Sequence, residues 1–247
     1  MKFTMVSLFP GMLESYFASS IMGKAVEREL IEYELVDIRD FATDRHRTAD
    51  DAPYGGGYGM VLKPEPLASA LDSVGAARKR VVYASPAGRL FTQQTAVELS
   101  GEKELVMICG RYEGIDQRII DMYVHDQLSI GDYVVSSGEI ASLVIVDAIY
   151  RLVSGVITPG SLEEESHNES LLEYPHYTRP EVFRGRAVPE ILRSGHHGRI
   201  SEWRRWKQIE RTAAARPDLL ARSGVSDAEM HELETRYGGH DGSDQGD

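Results

Sequence analysis

The sequence has almost no cysteine, no long hydrophobic run and no excess of basic residues. Cys109 is the single cysteine among 247 residues, so the chain cannot form an internal disulfide, and a reducing compartment is the expected setting. No segment approaches the about twenty apolar residues that span a bilayer. The first ten residues include Thr4 and Ser7 and are typical of a first strand rather than of a signal peptide. We therefore predict a soluble cytoplasmic protein with no membrane partner.

The net charge of −12 argues against a nucleic-acid partner when it is taken alone. The charge is unevenly distributed, however. Between His176 and Arg211, nine lysine and arginine residues stand against four glutamates, which leaves a local excess of about +5. A patch of this kind can hold phosphates on an acidic protein, and it can equally be a solvated helix surface. The charge pattern leaves both interpretations open.

Apolar, β-branched segments alternate with helical patterns in the first part of the chain. This alternation predicts an α/β fold whose mostly parallel sheet is covered on both faces. The predicted strands are Lys2–Leu8, Tyr33–Ile38, Arg80–Ala84, Glu104–Ile108 and Tyr123–Leu128. The predicted helices include Pro64–Val74, Thr92–Leu99, Gly114–Met122 and the almost wholly apolar Glu139–Val153.

The remainder of the chain has a different character. Residues 158–170 are polar, acidic and without a period, which predicts a flexible linker between an α/β domain over 1–157 and a small all-α domain over 171–237. In the second domain, Trp203, Trp206 and Ile209 recur at three-residue spacing, and we predict a helix over 201–212 with Ser201 as its N-cap. Residues 238–247 are predicted to be disordered.

Two glycine-containing loops are the most informative local feature. Residues Cys109–Asp116 and Ser129–Glu139 each follow an apolar run and each lead into a helical pattern. A strand that ends in glycine and turns into a helix exposes backbone N–H groups to a ligand. Two such ends side by side predict a small-molecule pocket at the carboxyl edge of the sheet.

Familiar nucleotide and metal motifs do not match. The glycine-rich loop Tyr54–Met60 lacks the third glycine of a dinucleotide fingerprint, and it follows a turn rather than a strand. Gly23 and Lys24 resemble the end of a P-loop, but Ala25 stands where a magnesium-binding hydroxyl belongs. His46 has acidic neighbours, yet nothing completes a zinc ligand set. We therefore predict neither a dinucleotide-dependent oxidoreductase nor a P-loop enzyme, and no metal site.

At this point the motifs, taken in order, resemble one family over nearly the whole chain: the bacterial tRNA (guanine-N1)-methyltransferases, which methylate the guanosine immediately 3′ of the anticodon. One glycine loop would be weak support, but many ordered motifs at compatible spacing are specific. The matching segments are Ser7–Pro10, Asp44–Thr48, Asp50–Met60, Ser85–Gly88, Cys109–Asp116, Ser129–Glu139, Pro175–Pro180 and Val188–His197.

The resemblance implies a SPOUT methyltransferase, whose α/β domain forms a deep trefoil knot and whose knot loops bind S-adenosylmethionine, the methyl donor. A need for magnesium is not readable from the sequence. The cofactor-binding residues implied by the family motifs are Ser85, Pro86, Gly88, Gly110, Tyr112, Glu113, Ile130, Gly131, Asp132, Tyr133, Val134, Val135 and Gly138.

The resemblance also implies two catalytic residues. N1 of guanine carries a proton, so a carboxylate must remove it, and an arginine can stabilise the charge that develops towards O6. The family arginine falls on Arg151, and the family aspartate falls on Glu165, although the neighbouring Glu164 could substitute. Glutamate in place of aspartate is the main departure from the family. A second departure is Ser137, where glycine is common.

The implied partners are tRNA and a second copy of the chain, and neither DNA nor a membrane. Each active site of such a homodimer lies between the knot of one subunit and the linker and C-terminal domain of the other. The expected tRNA contacts are Gly59, Arg179, Arg204, Arg205 and Lys207. Two alternatives stay open: a methyltransferase of the same fold acting on another RNA site, and a non-catalytic RNA-binding protein.

Overall fold

The structure is a computed structural model that describes residues 1–157 and 170–238. The chain divides into two compact units, Met1–Thr158 and Pro159–Asp247. The predicted linker over 158–170 and the predicted disordered tail over 238–247 lie outside the described residues, apart from Ser170 and Gly238. Glu165, the predicted base, lies outside them as well. No described helix has both the length and the apolar character needed to cross a bilayer.

The N-terminal unit alternates strands and helices. Its strands are β1 (Lys2–Ser7), β2 (Glu32–Asp37), β3 (Asp50–Asp51), β4 (Val61–Leu62), β5 (Arg80–Leu90), β6 (Glu104–Ile108) and β7 (Asp126–Ser129). Its helices are α1 (Gly11–Phe17), α2 (Ser20–Glu27), α3 (Pro64–Ser73), α4 (Gln93–Ser100), α5 (Gln117–Tyr123) and α6 (Gly138–Tyr150). Five strands form a parallel sheet in the order β2-β1-β6-β5-β7. The α/β fold with a parallel sheet is therefore confirmed.

The central strand β6 shows why the sheet is covered on both sides. Leu105 and Met107 pack into a core with α1, α2, α4 and α6, whereas Val106 and Ile108 pack into a second core with α3 and α5. All four side chains are fully buried. Because successive side chains of a strand point to opposite faces, a strand buried on both faces reads as one continuous apolar run.

Two predicted boundaries were wrong near the edge strand. The predicted helix Gly114–Met122 begins only at Gln117, because the side chain of Asp116 accepts a hydrogen bond from the backbone N–H of Arg118 and caps the helix there. The predicted strand Tyr123–Leu128 begins only at Asp126, since Tyr123 is the last residue of α5. Apolar residues at a helix end and in a strand cannot be told apart by their spacing.

Strand β5 was predicted to end at Ala84, but it continues to Leu90 after an interruption in its pairing with β7. Its pairing with β7 stops at Ala84 and resumes at Arg89, so residues 85–88 leave the sheet. A Cβ atom on Gly88 would collide with the backbone of Gln127 in β7, and only glycine fits there. Asp126 ties the first residue of β5 to the far side of the interruption, since it lies 2.5 Å from Nε of Arg80 and 2.9 Å from an Nη of Arg89.

These contacts predict a pH-dependent contribution to stability. Burial opposes ionisation of Asp126, but the hydrogen bonds from Arg80 and Arg89 outweigh it and hold the pKa of this carboxyl below its usual range. A carboxyl whose pKa is lowered by folding stabilises the folded state fully at pH values above its unfolded-state pKa of about 3.9. This stabilisation is lost as the pH falls below that pKa and through the folded-state pKa. We expect Asp126→Asn to lower the free energy of unfolding by about 1.5–3 kcal/mol at pH 7.

Urea unfolding measured at pH 7 and again below pH 4 tests this expectation. The difference in free energy of unfolding from the wild type should narrow as the pH falls from about 4 through the lower folded-state pKa. Glu98→Gln is the matched control, because Glu98 pairs with the same Arg80 but its side chain is 54% exposed, and it should cost less than about 1 kcal/mol. An Asp126→Asn effect that stayed constant with pH would contradict the charge assignment.

The C-terminal unit is mostly helical rather than all-α. It contains the antiparallel pair β8 (Val182–Phe183) and β9 (Arg186–Ala187), followed by α7 (Glu190–Arg193), α8 (His197–Ala215), α9 (Pro217–Leu220) and α10 (Asp227–Tyr237). The predicted N-cap at Ser201 was wrong, because α8 begins at His197 and Ser201 lies within it. The predicted apolar side of this helix is confirmed: Trp203, Trp206 and Ile209 are buried in the core of this unit.

Candidate functional site

Strands β6 and β7 end beside one cavity of about 240 Å³, which residues 83–86 in the middle of β5 also border. Because the carboxyl ends of parallel strands meet at one edge of a sheet, the loops after β6 and β7 surround the same space as the interrupted part of β5. The lining residues are Tyr83, Ala84, Ser85, Pro86, Gly110, Arg111, Tyr112, Glu113, Gly114, Leu128, Ser129, Ile130, Gly131, Tyr133, Val134, Val135, Ser136, Ser137, Gly138 and Ala141. The pocket predicted from the two glycine loops is thus present, with the interrupted part of β5 as its third wall.

The structure brings most of the predicted cofactor-binding residues together here. Eleven of the thirteen line the cavity, and the two that do not are Gly88 and Asp132. Gly88 packs on the backbone of β7, so its part is to let residues 85–88 leave the sheet. Asp132 is exposed to solvent. A glycine in such a loop can be needed either for the path of the backbone or for contact with a ligand, and the sequence alone does not distinguish these two roles.

Tyr83 is the most instructive lining residue that sequence reasoning missed. It is almost fully buried, and its ring would lie 2.9 Å from a Cβ atom at position 110, so Gly110 can have no side chain while Tyr83 keeps its place. Burial raises the pKa of the Tyr83 hydroxyl above its ordinary value. A tyrosine in a strand is typical of a core residue, and only its position immediately before Ala84 and the 85–88 loop hinted at the cavity.

The two glycine loops touch each other directly. The backbone N–H of Gly138 donates to the carbonyl oxygen of Gly110 at 2.9 Å. A Cβ atom at position 138 would collide with the backbone N and O of Gly110. Gly131 has a φ of +147°, which side-chain-bearing residues rarely adopt. The chain therefore needs glycine at these points to bring two backbone segments together around the cavity.

A buried ionic cluster holds these loops in place. Glu139, at the start of α6, is fully buried and accepts hydrogen bonds from the hydroxyls of Ser7 at 2.6 Å and Ser137 at 2.7 Å. Nε of Arg111 lies 2.9 Å from the same carboxylate, as an ion pair without hydrogen-bond alignment. The Arg111 guanidinium also stacks on the ring of Phe9 at 4.5 Å. The cluster joins the end of β1 to both glycine loops, and no local motif pointed to it.

Cys109 lies immediately before Gly110 and is completely buried. Burial raises the pKa of its thiol to about 12, although a hydrogen bond to the hydroxyl of Ser142 opposes the shift. A thiol with so high a pKa holds almost no thiolate at neutral pH and is a poor nucleophile. Cys109 is therefore part of the packing under the cavity.

The glycine-rich loop over 54–60 reaches the rim of the cavity. A Cβ atom at Gly59 would lie 2.5 Å from the carboxylate of Glu113, and the backbone N–H of Glu113 donates to the carbonyl of Met60. The side chains of Tyr54 and Tyr58 are almost fully exposed. Gly59, an expected tRNA contact, thus lies directly beside a residue that lines the cavity.

Arg151 lies far from the cavity of its own chain. Gly138 begins α6 at the cavity, and Arg151 caps the other end of this helix, about 20 Å away at 1.5 Å per residue. Arg151 instead borders an exposed apolar surface on α6, together with Tyr16, Gln93, Ile140, Leu143, Val144, Asp147 and Ala148. The structure does not bring the predicted catalytic arginine to the cavity within one copy of the unit.

The expected tRNA contacts in the C-terminal unit differ in their surroundings. Arg179 is exposed, and the Arg204 guanidinium stacks on the ring of Tyr174 at 4.7 Å. Arg205 pairs with Glu229 at 2.9 Å, and Lys207, whose side chain is only 7% exposed, pairs with Glu210 at 2.8 Å. Burial and pairing make Lys207 a poor candidate for a phosphate contact, which its position among arginines did not reveal.

Comparison with known proteins identifies the family. The family model "tRNA (Guanine-1)-methyltransferase TrmD" matches residues 1–222. A tRNA (guanine-N(1)-)-methyltransferase of Treponema denticola is 59% identical over 223 residues, which cover 90% of this chain and 92% of that protein. Proteins of the same name from Borreliella burgdorferi (56% over 221 residues, 89% and 92%) and Treponema pallidum (55% over 235 residues, 95% and 94%) are also similar.

The matched region contains the whole described part of the N-terminal unit, with its three loops around the cavity, and the long helix α8 of the C-terminal unit. The identity is high and extends over almost the full length of each relative. With its cavity, its ordered motifs and these relatives, this chain belongs to the tRNA (guanine-N1)-methyltransferase family.

Proposed function

We propose that this protein transfers a methyl group from S-adenosylmethionine to N1 of the guanosine immediately 3′ of the anticodon in tRNA. The observation that carries the proposal is the glycine-lined cavity at the ends of β6 and β7 and beside the middle of β5, in a chain of this family. An RNA-binding protein without catalysis has no need for such a cavity.

The residues present fit the methyl donor. Gly110, Gly131 and Gly138 line the cavity without side chains, so a flat ligand such as an adenine ring can lie close to the backbone there. Ile130, Val134 and Val135 supply apolar contacts, as small-molecule pockets usually require. When bound, S-adenosylmethionine supplies a methyl group that is activated by its sulfonium charge.

The remaining chemistry belongs to the protein. The proton on N1 of guanine must be removed, and we assign this step to the carboxylate of Glu165, with Glu164 as the neighbouring alternative. Like charge from the adjacent glutamates favours proton uptake, which suits a base. The guanidinium of Arg151 stabilises the negative charge that develops towards O6. Both assignments rest on the family motifs.

A homodimer would allow Arg151 to act at a cavity although it lies far from the cavity of its own chain. Because Arg151 stands at the far end of α6 from Gly138, it can act at a cavity only if a second copy presents it there. The surface that Arg151 borders is suited to such a copy: Ile140 and Val144 are each 46% exposed there. A two-fold axis through this surface would make two equivalent sites, each built from both subunits.

The deep trefoil knot is also part of the proposal. Two features support it: the direct backbone contact of Gly138 with Gly110, and the packing of α6 against β5, β6 and α4 on one face of the sheet. Both are expected if the segment before α6 passes close under the loop after β6. General folding rules disfavour knots, so the proposal of a knot rests mainly on the family resemblance.

Transfer of labelled methyl from S-adenosylmethionine tests the function. The substrate is a tRNA transcript with guanosine 3′ of the anticodon, and its twin carries adenosine there. We expect label on the guanosine transcript alone, and digestion to nucleosides should place it on N1. Label on both transcripts would retain the methyltransferase and discard the target.

Among the described residues no group of His, Cys, Asp and Glu forms a metal site. A parallel assay with EDTA decides whether the reaction requires magnesium.

A further inference from the structure

The C-terminal unit contains a second cavity, of about 380 Å³, to which neither the cofactor nor a catalytic step has been assigned. It lies between the segment 174–177 and the first two turns of α8. Its lining residues are Tyr174, Pro175, His176, Tyr177, Val188, Leu192, His197, Ile200, Ser201 and Arg204. Every one of them belongs to the same compact unit, so the cavity is a feature of that unit alone.

Flat side chains form one wall of this cavity. The ring of Tyr174 is buried, and the Arg204 guanidinium lies 4.7 Å from its centroid. The ring of His176 lies 4.7 Å from the same centroid at an angle of 49°. Tyr177 is 48% exposed, so its ring is available to a ligand from solvent. Planar groups of this kind favour a planar aromatic ligand.

The other side of the cavity is apolar, and polar groups stand at its edge. Val188, Leu192 and Ile200 are half-buried and offer contact area, whereas His197 and Ser201 are exposed and carry hydrogen-bonding groups. A ligand with a flat face and a hydrogen-bonding edge matches both sides. A nucleobase that is unstacked from its neighbours has these properties.

Two exposed arginines adjoin the lining residues in the sequence. Arg199 stands on α8 between the lining residues His197 and Ile200, and Arg186 belongs to β9, next to the lining residue Val188 across Ala187. Both are exposed, and neither forms an ion pair with a residue that the structure describes. A base enters with its flanking phosphates, and exposed arginines beside the opening would attract them.

We propose that this cavity binds one unpaired nucleobase of the tRNA, other than the methylated guanosine, by stacking on Tyr177. The inference rests on the proposed function, since it takes tRNA as the substrate, and it adds a base-binding site to a unit for which only phosphate contacts were expected. Such a site would let the enzyme bind tRNA through its shape and one unstacked base, away from the methyl-transfer cavity.

The test uses the full-length protein and a tRNA transcript that the wild type methylates. We expect Tyr177→Ala to weaken tRNA binding about tenfold without changing the slope of affinity against salt, because stacking releases no counterions. Tyr177→Phe should bind like the wild type, as it keeps the ring. Phe183→Ala is the matched control, since Phe183 is an exposed aromatic residue of the same unit (61%, against 48% for Tyr177) that does not line the cavity.

Abasic substitutions at single unpaired positions of the transcript then identify the base. An abasic substitution at one of these positions should weaken tRNA binding to the wild type about tenfold. The same substitution should not weaken binding to the Tyr177→Ala variant any further, because the ring and the base belong to the same contact. The proposal is overturned if Tyr177→Ala binds as tightly as Phe183→Ala, if its salt slope falls, or if no abasic position shows this coupling. A wild type that neither binds nor methylates tRNA would instead remove the proposed function itself.

Discussion

Arg151→Ala lowers the single-turnover rate of methyl transfer by about a hundredfold and leaves the affinity for S-adenosylmethionine unchanged. We expect a decrease of this size because the variant loses one group that stabilises charge developing in the transition state, and such a loss lowers the rate on the order of 10²–10³-fold. The cofactor affinity stays the same because Arg151 is assigned to the charge that develops towards O6 of guanine and not to the bound cofactor. Rapid-quench assays and calorimetric titration measure the two quantities.

Arg78→Ala is the matched control for this variant, because Arg78 is an exposed arginine near the amino end of β5, at the edge of the sheet away from the cavity. It should retain the wild-type rate. An Arg151→Ala enzyme with an unchanged rate would remove Arg151 from the reaction. Loss of cofactor binding in this variant would show that Arg151 also holds the cofactor, and it would contradict a role confined to the transition state.

Mixed dimers separate the two subunits' contributions. One protomer carries Arg151→Ala, and the other carries Val134→Trp, a bulky residue at an exposed cavity position, chosen after calorimetry shows that it no longer binds the cofactor. If each site uses the cavity of one chain and Arg151 of the other, the mixed dimer retains one intact site and about half of the wild-type activity. Inactivity of the mixed dimer would show that each chain works alone.

Glu139→Gln lowers the free energy of unfolding by about 3–5 kcal/mol and abolishes tight cofactor binding. Removal of one partner from a buried ion pair leaves the other charge uncompensated, and such changes cost amounts of this size. Here the orphaned group is Arg111, whose side chain is only 17% exposed. Because the cluster also anchors Ser7 and Ser137, its loss loosens both glycine loops. Urea unfolding and calorimetric titration measure the two effects.

A double-mutant cycle with Arg111→Met identifies the cause. Removing both charges should leave a protein more stable than Glu139→Gln alone, because no buried charge is then without its partner. Glu34→Gln serves as the control, since Glu34 pairs with Lys2 on the surface with a side chain 44% exposed, and it should cost less than about 1 kcal/mol. Additive effects in the cycle would refute the pairing as the source of the stability.

Strands β1 and β6 agree with prediction to within a residue, and the reason is local. Both lie in the middle of the sheet with both faces covered, so their apolar runs mark them without any knowledge of their neighbours. The start of β7 was misplaced, because Tyr123 is the last residue of α5 and apolar residues at a helix end look like a strand. Likewise, Ser201 looked like an N-cap from its type, whereas α8 already begins at His197.

The chain's residues alone were enough for the α/β class and the parallel sheet, because those signals are apolar runs. The ordered motifs were enough for the family resemblance, which in turn implied most of the cavity wall. Only the folded molecule paired Glu139 with Ser7, which lies 132 positions earlier, and put Tyr83 beside Gly110. It also buried the side chain of Lys207. Contacts between distant segments depend on how elements pack, and no local pattern encodes them.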